Sequence, residues 1–188
     1  MVKVIAVNNE IKKPLCVFGV VDNQQGHAIE SEMLPWLTEH YNVIEVLHDG
    51  TKFEYPALLE AKRVSLCYEK PVLYIHSRGA YNVWRTTVPT RRMWKEEFGN
   101  QCEKYQQLVD DARPTIACPF ADCAGEHRYN GFIANKAAWE MADILPNDDR
   151  MVYERIWAGK EVRLIGTLIQ SEVNDIKKIR RYLYRNFE

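Results

Sequence analysis

This 188-residue chain lacks most of the features by which a sequence declares its chemistry. No apolar run approaches the roughly 20 residues that span a bilayer. The opening Met1-Val2-Lys3-Val4-Ile5-Ala6-Val7-Asn8 is too short for the core of a signal peptide and carries no cleavage signature, so a cytoplasmic location is expected. An excess of charge is missing too: 25 Lys and Arg stand against 26 Asp and Glu, for a net charge of −1. Without a global field, neither nucleic acid nor an anionic membrane is an expected partner. The Cys count is five, which is odd, and no Cys-x-x-Cys occurs, so reduced thiols are expected rather than a disulfide framework. Also absent are a Gly-rich phosphate loop of either common type, a Gly-x-Ser-x-Gly elbow and a His-Glu-x-x-His pair, which removes several enzyme classes. There is no internal repeat, low-complexity tract or Gly/Ser linker, and a single domain over residues 1–188 is expected.

What is present is alternation. At 46% hydrophobic and 27% charged residues, the chain has an ordinary globular composition. Short apolar runs alternate with longer windows of helical spacing, the pattern of βαβ units and a largely parallel sheet with helices on both faces. Leu15–Val21 reads as a central buried strand, Val43–Leu47 as a second, Val72–His76 as a third, and Thr115–Cys118 and Gly131–Ala134 as two more, with Val162–Gly166 as the last. Ile29, Met33, Trp36, Leu37 and Tyr41 have helical spacing, with Pro35 expected to kink that helix or start it. Pro56 opens a helix to about Tyr68, and Pro89 starts a long helix through Trp94, Phe98, Cys102, Tyr105, Leu108 and Ala112. A helix from Lys136 is expected to bury Trp139, Ala142 and Leu145, and Ser171 caps a closing amphipathic helix.

The richest segment is Pro71-Val72-Leu73-Tyr74-Ile75-His76-Ser77-Arg78-Gly79, a strand that stops at His-Ser-Arg-Gly. Ligands of open α/β sheets sit outside the carboxyl ends of the strands. An imidazole, a permanent cation and a Gly therefore leave the sheet where chemistry is done. Arg78 points at water, a carboxylate or a phosphate, and Gly79 lets the backbone turn or a ligand approach. An ordinary strand exit with a surface Arg is the competing reading. Basic residues cluster again at Arg91-Arg92 and Lys177-Lys178-Arg180-Arg181, as solvated helix faces or, for the first pair, as a polyanion contact close after His76.

Residues 50 to 160 resemble the GT-A fold of glycosyltransferases that use nucleotide-diphosphate sugars. In that family a strand of the form apolar-Leu-Tyr-Leu-Asp-x-Asp is followed later by a Phe-Asn-Ser/Ala-Gly-apolar strand and a helix containing Trp. Val72-Leu73-Tyr74-Ile75 stands in the first place and Tyr129-Asn130-Gly131-Phe132-Ile133-Ala134…Trp139 in the second. The chain is more closely similar to a group of bacterial and viral glycosyltransferases marked by Tyr-x-His-Thr-Lys-Gly, a Trp-Arg-x-x-Met helix and His-x-x-Gly-Asn. Tyr74-Ile75-His76-Ser77-Arg78-Gly79, Arg91-Arg92-Met93 and His127-Arg128-Tyr129-Asn130-Gly131 match these loosely. The resemblance implies a Rossmann-like GT-A domain, a nucleotide-sugar donor and a glycan or other hydroxyl acceptor, as in polysaccharide biosynthesis.

One departure matters. The GT-A Asp-x-Asp holds Mn²⁺ or Mg²⁺ against the diphosphate, whereas this chain has His76-Ser77-Arg78. Hard divalent cations want carboxylate oxygens, so no cofactor is expected; a divalent metal such as Mn²⁺ is the alternative, which the motif does not support. Arg78 would take the metal's place by bidentate hydrogen bonds to the diphosphate, with His76 and Lys62 or Arg92 assisting. Gly79 and His127 belong to the same nucleotide-sugar site, and Asn130 and Gly131 would line the donor sugar. Glycosyl transfer also needs a carboxylate. Asp122 follows a strand, and Glu154 matches an acidic residue late in GT-A domains; both also read as surface carboxylates. Asp49 would bind nucleobase or ribose, or simply form an Asp-Gly turn. Two other readings compete: a zinc site of Cys118, Cys123, His127 and His76, whose spacing fits no standard pattern, and a non-catalytic nucleotide-binding or interaction domain on the same scaffold. Tyr81 and Trp84 are ligand-contact candidates, while the remaining Trp at helical spacing read as core.

Overall fold

The structure is a computed structural model that describes residues 2–4, 13–52, 54–77, 87–119, 131–146, 156–157, 159–166 and 185. Its organising element is β2 (Leu15–Val21), buried along its whole length. A continuous apolar run of that kind needs cover on both faces, and both are supplied. Leu15 and Val17 pack toward α2 (Tyr55–Tyr68), while Cys16, Phe18 and Val20 pack toward α1 (Gln24–His40). Ile29, Met33 and Leu37 of α1 recur at helical spacing and are buried, each contributing about 1.5–3 kcal/mol of apolar burial.

Three parallel strands form the heart of the sheet: β3 (Asn42–His48), β2 and β4 (Val72–His76). The chain runs from β2 through α1 to β3 on one side, then returns through α2 to β4 on the other. The crevice at the carboxyl ends of β2 and β4 is therefore a topological switch point. After β4 come α3 (Thr87–Trp94), a π-helical turn (Lys95–Asn100) and α4 (Cys102–Val109). Then follow β5 (Thr115–Cys118), β6 (Phe132–Ala134), α5 (Lys136–Met141) and β7 (Arg163–Gly166). With β1 (Val2–Val4), the sheet among the described residues has seven strands in the order β1-β3-β2-β4-β6-β5-β7. Strands β2, β3, β4, β5 and β7 share one direction; β1 and β6 oppose it. The α/β class and the mainly parallel sheet follow the sequence expectation. Among the described residues no helix is long and apolar enough to cross a membrane.

Several expectations are corrected. Val2–Val4, to which the sequence reading assigned no element, is β1, paired antiparallel with β3. Helix α1 begins well before Ile29, capped by Asn23, and passes through Pro35 unbroken. Pro35 has no N–H to donate to the Ser31 carbonyl, and both residues lie on the exposed face of α1, where that carbonyl is open to solvent. The long helix expected from Pro89 is two α-helices, α3 and α4, separated by the π-helical turn and by Gln101 at φ −121°, ψ 19°. Leu145 is 71% exposed, not buried. Helix α5 stops at Met141 and Ala142 is extended, so burial passes with a period of two to Ala142 and Ile144 and leaves Leu145 outward. The helix expected from Ser171 lies outside the described residues, Arg185 excepted.

Candidate functional site

The carboxyl edge of β3, β2 and β4 places three residues in one row, His48, Gly19 and His76, all on the α2 face. His76 is opposite Gly19 in the parallel register, and His48 is opposite Val21 two residues on. The absence of a side chain at Gly19 shapes this row. A Cβ there would come 2.8 Å from Ala57 Cβ, 3.5 Å from His76 Cβ and 3.8 Å from His48 Nε2. The first turn of α2 therefore sits directly on β2, and the residue before it, Glu54, is drawn over the row. Its Oε1 lies 3.4 Å from His76 Nε2, with both side chains only 15% exposed. Glu54 occupies the N-cap of α2 but makes no side-chain capping bond.

Aromatic rings fix the His76 imidazole. Tyr74 lies nearly parallel to it, with ring centroids 6.3 Å apart, and Trp94 presents itself at 61° and 5.8 Å. Trp94 is fully buried, and its Nε1 has no hydrogen-bond partner among the described residues. The same indole explains Gly131, where a Cβ would fall 2.3 Å from Trp94 Nε1. Gly131 thus packs beside the ring that packs beside His76. The row of rings continues from Tyr74 through Phe132 to Trp139 and Trp157, a fixed wall along the α2 face.

Ser77 is occupied with structure. Its N–H donates to Gly19 O at 2.7 Å, and its Oγ accepts from Val21 N at 3.0 Å, tying β4 to β2 one residue beyond the strand. At the end of β3, burial pushes the His48 imidazole below its ordinary pKa, and its Nδ1 has no hydrogen-bond partner among the described residues. Next to it, Asp49 Oδ1 accepts from Thr51 N at 2.9 Å and from Thr51 Oγ1 at 2.8 Å. The backbone bond, with help from the hydroxyl, holds this exposed carboxyl below the usual range. That is the turn anticipated for Asp-Gly, at the same edge as His76.

The remaining sequence candidates divide. Lys62 is two turns along α2 from Glu54, about 12 Å by helical rise. Its ammonium donates to Ala142 O at 2.8 Å and Glu140 O at 3.4 Å, which caps the end of α5. Of the adjacent arginines, Arg91 is buried and paired with Glu32 of α1 at 2.7 Å, while Arg92 is exposed on α3. Arg78, Gly79, Asp122, His127, Asn130 and Glu154 lie outside the described residues, as do Tyr81, Trp84 and Cys123. Of the proposed zinc set, Cys118 is a buried member of β5. Among the described residues no group of three His, Cys, Asp or Glu is arranged to hold a metal ion.

Sequence reasoning missed Glu54 and His48; Trp94, read as core, is buried as expected, and only the structure sets it beside His76. The first had a legible signal, an acidic residue directly before a Pro-started helix. His48 ends a strand before Asp-Gly, and only the strand order brings it near His76. Where the Asp-x-Asp of the resembled family would stand, β4 offers one imidazole, a hydroxyl already accepting a backbone bond, and Glu54 from another element. Comparison with protein-family models, with curated protein sequences and with solved structures finds no match for this chain.

Proposed function

We propose that this chain transfers a sugar from a nucleotide-diphosphate donor to an acceptor hydroxyl. The observation that carries the proposal is the position of His76. It ends the strand beside the topological switch point, its ring is fixed by Tyr74 and Trp94, and a carboxylate faces Nε2. Arg78 follows two residues later in the chain. A permanent cation and an imidazole at such an edge suit a diphosphate, which needs charge-assisted donors when it leaves. In this proposal Arg78, with His76, neutralises the leaving diphosphate without a metal bound by Asp-x-Asp. Gly79 and Asn130 contact the donor, and Asp122 or Glu154 takes the proton of the acceptor hydroxyl.

The finer fold assignment belongs to the same proposal. The GT-A resemblance calls for a Gly-apolar strand followed at once by a helix with Trp. The antiparallel strand β6 after Gly131, followed directly by α5 with Trp139, is consistent with that order. A single cytoplasmic domain is part of the same reading.

The test is calorimetric. The full chain should bind UDP or GDP in the presence of a chelator, and Arg78→Ala should weaken that binding about a hundredfold. Binding unchanged by the substitution removes Arg78 from the mechanism. Turnover of a panel of nucleotide sugars should be lost in Asp122→Asn or Glu154→Gln with nucleotide binding retained. Binding with no turnover by the unmodified chain would make it a non-catalytic nucleotide-binding domain instead.

A further inference from the structure

We infer that His48 binds the diphosphate of the nucleotide sugar, giving a hydrogen bond from its Nε2–H to a phosphate oxygen. The inference rests on the proposed function for its ligand and on the end of β3 for its geometry. His48 is the last residue of β3, and its side chain is half-buried, not enclosed. Its Nε2 lies 3.8 Å from the point where a Gly19 side chain would begin, and His76 Cβ lies 3.5 Å from the same point. The two histidines therefore flank one bare position of β2, each from its own neighbouring strand. Ala57 of α2 covers that position at 2.8 Å. A ligand consequently reaches His48 from the carboxyl side of the row, which is the crevice at the switch point.

Hydrogen bonding decides which nitrogen makes the contact. Nδ1 is enclosed and has no hydrogen-bond partner among the described residues. The neighbouring Asp49 turns its Oδ1 to Thr51 N and Thr51 Oγ1, not to this ring. Burial favours the neutral imidazole, which carries a single proton. On Nδ1 that proton would be an enclosed donor with nothing to receive it, the rarer defect in folded proteins. On Nε2 it lies beside Gly19, at the end of the row that a ligand reaches. An acceptor is then what the position lacks, and a phosphate oxygen supplies one. Its charge strengthens the bond to a neutral ring. No proton changes hands: the diphosphate keeps its charge and the imidazole stays neutral.

The experiment follows the five histidine rings of the full chain by nitrogen NMR, with the His48 signals assigned by their loss in His48→Gln. Without ligand, Nε2 should be protonated and Nδ1 bare. Saturation with UDP, GDP or inorganic pyrophosphate should move the Nε2–H proton downfield, and uridine alone should leave it in place. In calorimetry His48→Leu should bind UDP about tenfold more weakly, the loss of one hydrogen bond to a charged group. His48→Gln, whose amide N–H reaches about as far as Nε2, should recover most of that loss. If His48→Leu does not fold, the ring signals of the unmodified chain decide. A proton found on Nδ1, an Nε2–H unmoved by a nucleotide that binds, or a response to uridine without one to pyrophosphate overturns the role of His48. Each of these leaves the sugar-transfer reading standing. No binding of UDP or GDP overturns that reading, and the ligand named here with it.

Discussion

At the scale of single residues, position decides what a titratable side chain does. His27 lies in the first turn of α1 with Nε2 2.9 Å from Asp22 Oδ1 and Nδ1 2.9 Å from Glu30 Oε2. The bond to Glu30 and then that to Asp22 raise its pKa above the ordinary 6.5. A raised imidazole pKa stabilises the fold fully below the unfolded value, and the contribution disappears as pH rises through the folded value. The melting temperature should therefore fall as pH increases from about 6 to about 8, and His27→Gln should flatten that fall; an unaltered slope would assign it to another group. The strand-end place of His76 was legible in the sequence, because the apolar run and the Gly after it are local; of its ring neighbours only Tyr74 is. What was not legible is the packing reason for Gly131, expected from the sequence to line the donor sugar. In the structure that glycine leaves room for Trp94, a ring from an element 37 positions earlier in the chain.

At the scale of elements, one asparagine joins a strand to a helix. Asn135 Oδ1 accepts from Ala138 N at 2.9 Å, capping α5, and from Thr115 N at 3.1 Å at the start of β5. Its Nδ2 donates to Asp111 O and Arg113 O, each at 2.7 Å. A lost cap costs about 1 kcal/mol, and each buried group left unsatisfied adds about 1–3 kcal/mol. Asn135→Ala should accordingly lower stability to denaturant by about 3 kcal/mol. Asn135→Asp, which keeps the acceptors but loses both donors, should not rescue it; full rescue would show that the cap alone matters. Strands β2, β4 and β5 were readable from their apolar runs because short buried strands announce themselves locally. Helix ends were less so. The break at Gln101 and the stop after Met141 depend on what each helix packs against, as with Lys62 closing on the last carbonyls around α5.

At the scale of the whole molecule, the sheet is a hierarchy of protection. β2 is hydrogen-bonded to parallel partners on both sides and buried throughout, whereas β1 and β7 stand at the two ends of the strand order among the described residues. Native-state hydrogen exchange should find the amides of Cys16–Val20 among the slowest, opening only with global unfolding, and those of β7 faster. Equal protection at centre and edge would contradict this order. The aromatic row from Trp94 through His76 and Tyr74 to Trp139 and Trp157 gives the same region a rigid wall on which a site can be held.

The sequence by itself determined the α/β class, the central strands and the place of His76 at a strand end, because each is carried by local apolar spacing and by local chain breakers. Only the tertiary structure decided that β6 inserts antiparallel between β4 and β5, that His48 reaches the same row as His76, and that Glu54 faces the imidazole. Those outcomes depend on strand order and on how closely α2 approaches β2. Contacts between residues far apart in the chain set both, and no local pattern encodes them.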